Sequence, residues 1–275
     1  MSVGLVLLDL DGTMLTGDKR ISPATYAALE RAAAMGVQIV PCTGRFYGGI
    51  PQVVRDLPFV RYFITVNGGN VWDRQEDKVL YRAEIPVERG LKLFDAMDQL
   101  PVIYDCFVDG AAWMARANYE RIDAFISVPK DNEMVKTLRT PVEDLRQFVR
   151  QTGKPLQKTQ MFFADIDLRN AMLPRIRAQH ADLLVSTSLV NNIEFTVPSA
   201  SKGEALRFLA AHLGVAVADT MAFGDMDNDR SMIEAAGIGV AMGNAEPCLK
   251  EIADCITDTN NADGVAKALE KFVFA

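Results

Sequence analysis

Histidine, paired cysteine and excess positive charge are all scarce in this sequence. It contains two histidines, and its four cysteines show no Cys-x-x-Cys spacing, so we expect neither a zinc site nor a disulfide framework. Scattered thiols of this kind are typical of a reduced compartment, which predicts a cytoplasmic protein. The formal net charge of -7 argues against a nucleic-acid-binding surface, which is normally basic.

Long apolar runs are also missing. No uninterrupted run reaches the roughly 18 to 20 residues that span a bilayer, so no membrane association is expected. The N-terminus is apolar, but it has no basic lead-in and meets an acid at Asp9, which is untypical of a signal peptide. What remains is a chain of 275 residues, 49% apolar and 24% charged, with room for one large or two medium globular domains.

The segment VGLVLLDLDGTML at residues 3–15 is the first with chemical content. Its Val and Leu run predicts a strand buried on both faces, as in the middle of a parallel sheet. Because side chains two residues apart lie on the same side of a strand, Asp9 and Asp11 are expected to converge just before a sharp turn at Gly12 and Thr13. Two close carboxylates are costly without a cation or a shared proton. Taken alone, a turn with solvated acids is an equally good interpretation.

A second predicted strand, over residues 37–40, follows a helix that opens at Ser22-Pro23 with a capping hydroxyl and an N-terminal proline. This strand–helix–strand order predicts a parallel pair. The segment PCTGR at 41–45 comes next, at the edge where open α/β sheets bind ligands. A plain loop is the alternative interpretation. A third strand, over 62–66, ends in NGGN, a tight-turn signal that predicts a hairpin and accounts for Asn67 without a role in a site.

Two later segments also carry polar groups. SASKGE at 199–204 opens a helix, and Lys202 lies in its first turn, where a cation is unfavourable unless an anion is near. A lysine that snorkels to the surface is an equally common explanation. A buried strand over 220–223 then ends in GDMDND at 224–229, a second acidic cluster at a strand end.

The pattern changes over residues 83–197. Here we predict helix, hairpin, helix, strand, helix, strand and strand, with the hairpin turn at Asp109-Gly110, which indicates an α+β module. Residues 1–82 and 198–275 share buried strands that alternate with helices. We therefore predict a discontinuous α/β core domain over 1–82 and 198–275, interrupted by an inserted α+β domain over 83–197.

Together, these segments resemble the haloacid dehalogenase (HAD) superfamily, and more narrowly its Cof-type branch with a type IIB cap. The match is carried by DLDGT at 9–13, TGR at 43–45, SKG at 201–203, GDMDND at 224–229 and EAAGIGVAMGNA at 234–245. The resemblance implies a Rossmann-like parallel-sheet core with an inserted α+β cap. It also implies a Mg²⁺-dependent phosphatase for small phosphomonoesters, such as sugar phosphates or related metabolites.

The resemblance further implies the chemical roles of three acids. Asp9 would be the nucleophile that forms an aspartyl-phosphate. Asp11 would protonate the leaving alkoxide and then deprotonate the attacking water. Mg²⁺ would be held by the Asp9 carboxylate, the Asp11 backbone carbonyl and the Asp225 carboxylate. Acid catalysis requires Asp11 to start protonated; neighbouring carboxylates raise its pKa and a metal lowers it, and the sequence leaves that balance open.

The remaining implied site residues bind the substrate. Thr43 and the Gly44 amide would hold phosphoryl oxygens, and Lys202 would supply positive charge to the transition state. Asn228 would orient the substrate or Lys202, and Asp229 would support the metal ligands from behind.

The expected partner is a small phosphorylated metabolite, with no nucleic acid and no membrane, and the chain is expected to act as a monomer or a homodimer. The cap would close over the site, exclude water and read the leaving group. Two other functions stay open. A phosphomutase-like phosphoryl-transfer enzyme would share the core chemistry, although the large insert argues against it. A non-catalytic domain that only accepts phosphate on Asp9 is disfavoured by Asp11 and by the size of the cap.

Overall fold

The computed structural model describes residues 3–275. The chain divides into two units, one made of the residues up to Arg82 together with Ala200–Ala275, the other of Ala83–Ser199.

The N-terminal segment of the first unit begins with the predicted buried strand and helix. The helix opens as its sequence predicts, because the Ser22 hydroxyl accepts a hydrogen bond of 3.1 Å from the amide of Thr25 and Pro23 follows the cap. The elements are β1 (Leu5–Leu8), α1 (Pro23–Ala34), β2 (Gln38–Pro41), α2 (Gln52–Arg55), β3 (Tyr62–Thr65), β4 (Asn70–Asp73) and β5 (Lys78–Arg82).

The second unit is built on one six-stranded sheet. Its elements are α3 (Val87–Met97), β6 (Val102–Val108), β7 (Ala111–Ala115), α4 (Arg116–Tyr119), α5 (Ile122–Phe125), α6 (Pro129–Leu138), β8 (Arg139–Val142), α7 (Leu145–Thr152), β9 (Lys158–Phe163), α8 (Ile166–Gln179), β10 (Leu184–Ser186) and β11 (Asn192–Thr196). The strand order is β10-β11-β9-β6-β7-β8, and each adjacent pair is antiparallel except β7 and β8. Apolar residues of α3, α7 and α8 pack on one face, and those of α5 and α6 pack on the other.

The α+β character of this unit is as predicted, but one detail of the prediction is wrong. The sequence pattern predicts a single helix between the hairpin and the next strand, whereas the structure has four short helices and the strand β8 there. The reason is weak amphipathicity: α4 contains no buried residue and α6 buries only Val135. A helix with so little apolar surface leaves no clear 3.6-residue period to read.

The C-terminal segment returns to the first unit and completes its parallel sheet. Its elements are α9 (Lys202–Leu213), β12 (Thr220–Gly224), α10 (Arg230–Ala235), β13 (Ile238–Ala241), α11 (Pro247–Lys250), β14 (Cys255–Ile256) and α12 (Gly264–Phe272). The sheet has the order β14-β13-β12-β1-β2 with all pairs parallel. The predicted α/β class is therefore confirmed, and β1 lies inside the sheet, where its four residues are fully buried.

The strands β3, β4 and β5 form a separate antiparallel sheet. A single parallel bridge between Cys42 and Ile64 joins β3 to the end of β2. The predicted hairpin is present, with Thr65 paired to Asn70, so its loop has four residues rather than the two of a tight Asn-Gly turn. Within residues 3–275, no helix combines the length and the apolar character needed to cross a bilayer.

Candidate active site

The carboxyl ends of three neighbouring strands bring the acidic motifs together. Leu8 at the end of β1 is level with Pro41 of β2 and Phe223 of β12, so the residues that follow these strands meet at one edge of the sheet. Ligand oxygens of Asp9, Asp225 and Asp229 lie within 4.8 Å of one another. The two motifs that are far apart in sequence therefore form one buried carboxylate cluster.

Lys202, the first residue of α9, supplies the cluster with its cation. Its Nζ donates hydrogen bonds of 2.5 Å to Oδ1 of Asp9 and of 2.5 Å to Oδ1 of Asp229. The side chain is fully buried, yet its pKa is raised because the two carboxylates outweigh the effect of burial. The unfavourable position at a helix N-terminus, noted from the sequence, is thus compensated by two anions.

One ammonium does not balance three buried carboxylates. Burial, followed by the charges of Asp229 and Asp11, raises the pKa of Asp9 to about 7, even though Lys202 lowers it. Burial and the charge of Asp9 raise the pKa of Asp225 to about 8. The cluster therefore has more carboxylates than cations. A divalent cation such as Mg²⁺ prefers oxygen ligands and would stabilise their ionised form. The donor set therefore fits the predicted metal.

Asp225 and Asp229 are held by different sets of contacts. The Thr13 hydroxyl donates a hydrogen bond of 2.9 Å to Oδ1 of Asp225. Oδ2 of Asp229 accepts from the backbone amides of Asp225, at 2.8 Å, and Met226, at 3.0 Å, while its Oδ1 already accepts from Lys202. Because both oxygens of Asp229 are engaged, the geometry favours its predicted supporting role over direct metal binding.

Asp11 points to a different environment. The β1 strand ends at Leu8, so strand alternation does not govern the side chain of Asp11, and among residues 3–275 the three-carboxylate group does not include it. Arg45 donates from Nε to Oδ2 of Asp11 at 2.7 Å and from Nη2 to Oδ1 at 3.0 Å. Lys19 donates to the same carboxylate. The expected convergence of the two acids is thus replaced by two separate ion-pair environments.

These contacts decide the protonation state that the sequence left open. Burial alone would raise the pKa of Asp11, but the hydrogen bonds and charges of Arg45 and Lys19 lower it to about 2. Asp11 is therefore an ionised carboxylate at neutral pH. Arg45 is the last residue of the TGR motif, whereas nothing in the sequence singled out Lys19.

The predicted substrate-binding residues lie around Asn67, which the sequence analysis explained by a turn alone. Thr43 is buried, and its Oγ1 accepts from the amide of Arg45 at 3.2 Å. Asn228, in the short turn before α10, donates from Nδ2 to Oδ1 of Asn67 at 3.1 Å. A Cβ on Gly44 would lie 2.7 Å from that same oxygen. Thr43, Gly44 and Asn228 are therefore neighbours, with Asn67 between them.

Comparison with known proteins identifies the family. The sequence model of the haloacid dehalogenase-like hydrolases matches residues 6–269. The chain belongs to this family. A Bacillus subtilis relative, 5-amino-6-(5-phospho-D-ribitylamino)uracil phosphatase YcsE, is 30% identical over 277 residues, which cover 99% of this chain and 97% of YcsE. The predicted family and enzyme class are confirmed, and the protein is a HAD-family phosphatase.

Solved structures agree on the fold. A haloacid dehalogenase-like hydrolase from Bacillus subtilis aligns with a TM-score of 0.84 at 28% identity, covering 97% of this chain and 99% of the other. The HAD subclass IIB sugar phosphatase BT4131 aligns with a TM-score of 0.82 at 24% identity, covering 98% of this chain and 99% of the other. The predicted HAD fold, with a parallel-sheet core and a separate antiparallel sheet, is confirmed.

Proposed function

We propose that this HAD-family phosphatase hydrolyses phosphomonoesters of small hydroxylated metabolites, with Asp9 as nucleophile and Mg²⁺ as cofactor. The observation that carries the proposal is the buried cluster of Asp9, Asp225 and Asp229 around one lysine, at the carboxyl edge of a parallel sheet. Such a cluster binds a dianionic phosphoryl group only if cations offset the repulsion.

The proposed reaction has two half-reactions. A carboxylate oxygen of Asp9 attacks the phosphorus, forming an acyl phosphate, and the alkoxide leaves with a proton from Asp11. Water then attacks the same phosphorus after giving a proton to Asp11, which releases inorganic phosphate and regenerates the Asp9 carboxylate. Lys202 fixes the carboxylate of Asp9 through its hydrogen bond to Oδ1 and supplies positive charge close to the transferred group.

The metal would be held by the carboxylates of Asp9 and Asp225 and by the backbone carbonyl of Asp11. When bound, Mg²⁺ would neutralise charge on the cluster and the phosphoryl oxygens. The raised pKa values of Asp9 and Asp225 support this assignment, because a cation restores the ionised form that nucleophilic attack requires. Thr43, Gly44 and Asn228 are proposed to bind the phosphoryl group.

Asp11 enters this cycle as a base. Its ion pairs with Arg45 and Lys19 keep it ionised, which suits the second half-reaction, where it accepts a proton from water. Acid catalysis in the first half-reaction requires those ion pairs to loosen as the substrate oxygen arrives, so that Asp11 carries a proton when the alkoxide leaves.

The second unit contains a buried polar cluster on one face of its β6–β9–β11 sheet. Oδ2 of Asp105 accepts from Arg139, at 2.8 Å, and from Gln160, at 3.0 Å, whereas its buried Oδ1 has no hydrogen-bond partner among residues 3–275. Lys158 donates to Glu194 at 2.8 Å on the same sheet. The name of the relative YcsE specifies a substrate with a phosphorylated ribityl chain, which supports a hydroxylated metabolite as the leaving group.

The first experiment is phosphate release from a panel of sugar phosphates, polyol phosphates and an aryl phosphate, with Mg²⁺ and with EDTA. We expect release that EDTA abolishes and that Asp9→Asn eliminates, while Asp56→Asn, an exposed carboxylate of the same unit, retains full activity. Isomerised sugar phosphate without free phosphate would instead indicate a mutase. Stoichiometric labelling of Asp9 without turnover would indicate a phosphate-accepting domain. The cytoplasmic location, the monomeric or dimeric state and the absence of nucleic-acid or membrane partners stay predictions.

A further inference from the structure

The loop between β3 and β4 contains two consecutive non-glycine residues in the left-handed region. Val66 has φ +53° and Asn67 has φ +55°. Asparagine tolerates this region, but for a β-branched residue such as valine it is an outlier. A four-residue hairpin loop does not demand it. Strain of this kind persists only where surrounding contacts over-determine the backbone, and it concentrates at functional sites.

The contacts that hold the strained backbone come from the TGR segment. The amide of Val66 donates to the carbonyl of Arg45 at 2.9 Å, and the amide of Asn67 donates to the carbonyl of Thr43 at 3.0 Å. The amide of Thr43 in turn donates to the carbonyl of Ile64 at 2.9 Å. Two backbone hydrogen bonds therefore join the loop to the proposed phosphate-binding segment, and a third joins that segment to β3.

The opposite side of the loop lies against the start of α9. Gly68 has φ +96°, and a Cβ there would lie 2.1 Å from the carbonyl oxygen of Ser201. Ser201 directly precedes Lys202, which binds Asp9. The loop thus lies between two of the motifs that build the active site.

The Asn67 side chain completes this connection. It is buried, with 2% of its surface exposed, and its Oδ1 accepts from Nδ2 of Asn228 at 3.1 Å. The same oxygen is the nearest neighbour of a Cβ built on Gly44, at 2.7 Å. The side-chain oxygen of Asn67 therefore orients the Asn228 carboxamide and fills the space beside Gly44. Asn228 and Gly44 both belong to the proposed phosphate-binding groups.

We propose that Asn67 is a positioning residue, which fixes the Asn228 carboxamide and the Gly44 backbone in the arrangement that binds the substrate phosphoryl group. The strained Val66–Asn67 backbone holds this side chain in place. The inference rests on the proposed function, because Gly44 and Asn228 are the binding groups assigned there. It replaces the interpretation of Asn67 as a turn residue alone.

The test is a double-mutant cycle on positions 67 and 228, with an aryl phosphate as substrate and Mg²⁺ present. Asn67→Gly keeps a residue that adopts the left-handed backbone but removes the side chain. We expect KM to rise about five- to tenfold, the effect of one hydrogen bond, with kcat changed less than KM. Because Asn67 acts partly through Asn228, Asn67→Gly adds a smaller loss in an Asn228→Ala background than it does in the wild type.

Asn70→Ala is the matched control, since Asn70 ends the same loop and donates to Thr65 rather than to the site; its KM stays at the wild-type value. Multiplicative losses at positions 67 and 228, or an equal rise in KM for Asn70→Ala, overturn the inference. If Asn67→Gly does not fold, the same double-mutant cycle is measured with Asn67→Ser, whose side chain is too short to reach Asn228.

Calorimetric binding of inorganic phosphate to the Mg²⁺-loaded wild type separates the two proposals. If the wild type binds phosphate and turns over normally, but the effects of substitutions at positions 67 and 228 are independent, only the role of Asn67 is refuted. A wild type that neither binds phosphate nor releases it refutes the proposed function and, with it, this inference.

Discussion

Lys202 is the residue whose removal tests the electrostatics of the site most directly. Its ammonium is fully buried and lies 2.5 Å from one oxygen of each of two carboxylates. Lys202→Met keeps the length of the side chain and removes its charge, which leaves Asp9 and Asp229 buried without their cation. Removing one partner of a buried ion pair costs about 3–5 kcal/mol of unfolding free energy, so we expect a loss of that size at pH 8 in EDTA.

The loss should depend on pH in a defined direction. The pKa of Asp9 is raised to about 7 even with the lysine present, so below that pH Asp9 can take up a proton in the variant, which avoids its buried charge. Urea unfolding of wild type and Lys202→Met, both in EDTA, should therefore show a smaller difference at pH 5 than at pH 8. Saturating Mg²⁺ should restore part of the stability that Lys202→Met loses at pH 8, because the ion binds the folded state only. Activity should be lost under all conditions.

Lys267→Met provides the control. Lys267 pairs with Asp258 on the surface, where both side chains are more than half exposed, and such pairs contribute about 0–1 kcal/mol. If Lys202→Met destabilises the protein no more than Lys267→Met, or by the same amount at pH 5 and pH 8, the account of the cluster given above is wrong.

Three further predictions follow from the ionised groups. In EDTA, the raised pKa values of Asp9 and Asp225 contribute stability that is present below about pH 4 and is lost as pH rises to about 8. The melting temperature in thermal unfolding should therefore fall over that pH range. A rise in the melting temperature would contradict this prediction. Arg45→Met should raise the pKa of Asp11 and shift the acidic limb of the pH profile of kcat/KM upward, whereas an unmoved limb would show that Arg45 does not set it. Arg139→Met removes the partner of a fully buried carboxylate on β6 and should cost about 3–5 kcal/mol in urea unfolding; a loss below about 1 kcal/mol would refute this.

The sequence predicts the parts of the site that depend on local pattern. Buried strands that end in acids draw attention to Asp9 and Asp225, and a lysine in the first helical turn draws attention to Lys202. The structure places Asp9 and Asp225 together because the carboxyl ends of parallel strands meet at one edge. The orientation of Asp11 was not predictable in this way. It depends on Arg45, which is 34 positions away, and on where the strand stops, which the alternation of residues does not reveal.

Asn67 escaped prediction for a different reason. The Asn-Gly pair is explained by a turn, so the sequence offers no residual signal of a second role. Only the backbone angles, with Val66 held in the left-handed region, show that the loop is under a constraint that a hairpin does not impose. The short helices of the second unit were missed because their few buried residues leave no period to detect.

The two acids of the DLDGT motif occupy opposite electrostatic environments. Asp9 lies among carboxylates and its pKa is raised to about 7, whereas Asp11 lies between Arg45 and Lys19 and its pKa is lowered to about 2. Divergent pKa values in a pair of carboxylates are the usual sign of divided acid and base roles. Here the direction is the reverse of what the first half-reaction needs, since the nucleophile must be ionised and the acid protonated. In the proposed mechanism, a divalent cation on Asp9 and Asp225 would correct the first mismatch, and release of Asp11 from its two cations would correct the second. The proposal therefore requires two events, metal binding and substrate arrival, before Asp9 can attack.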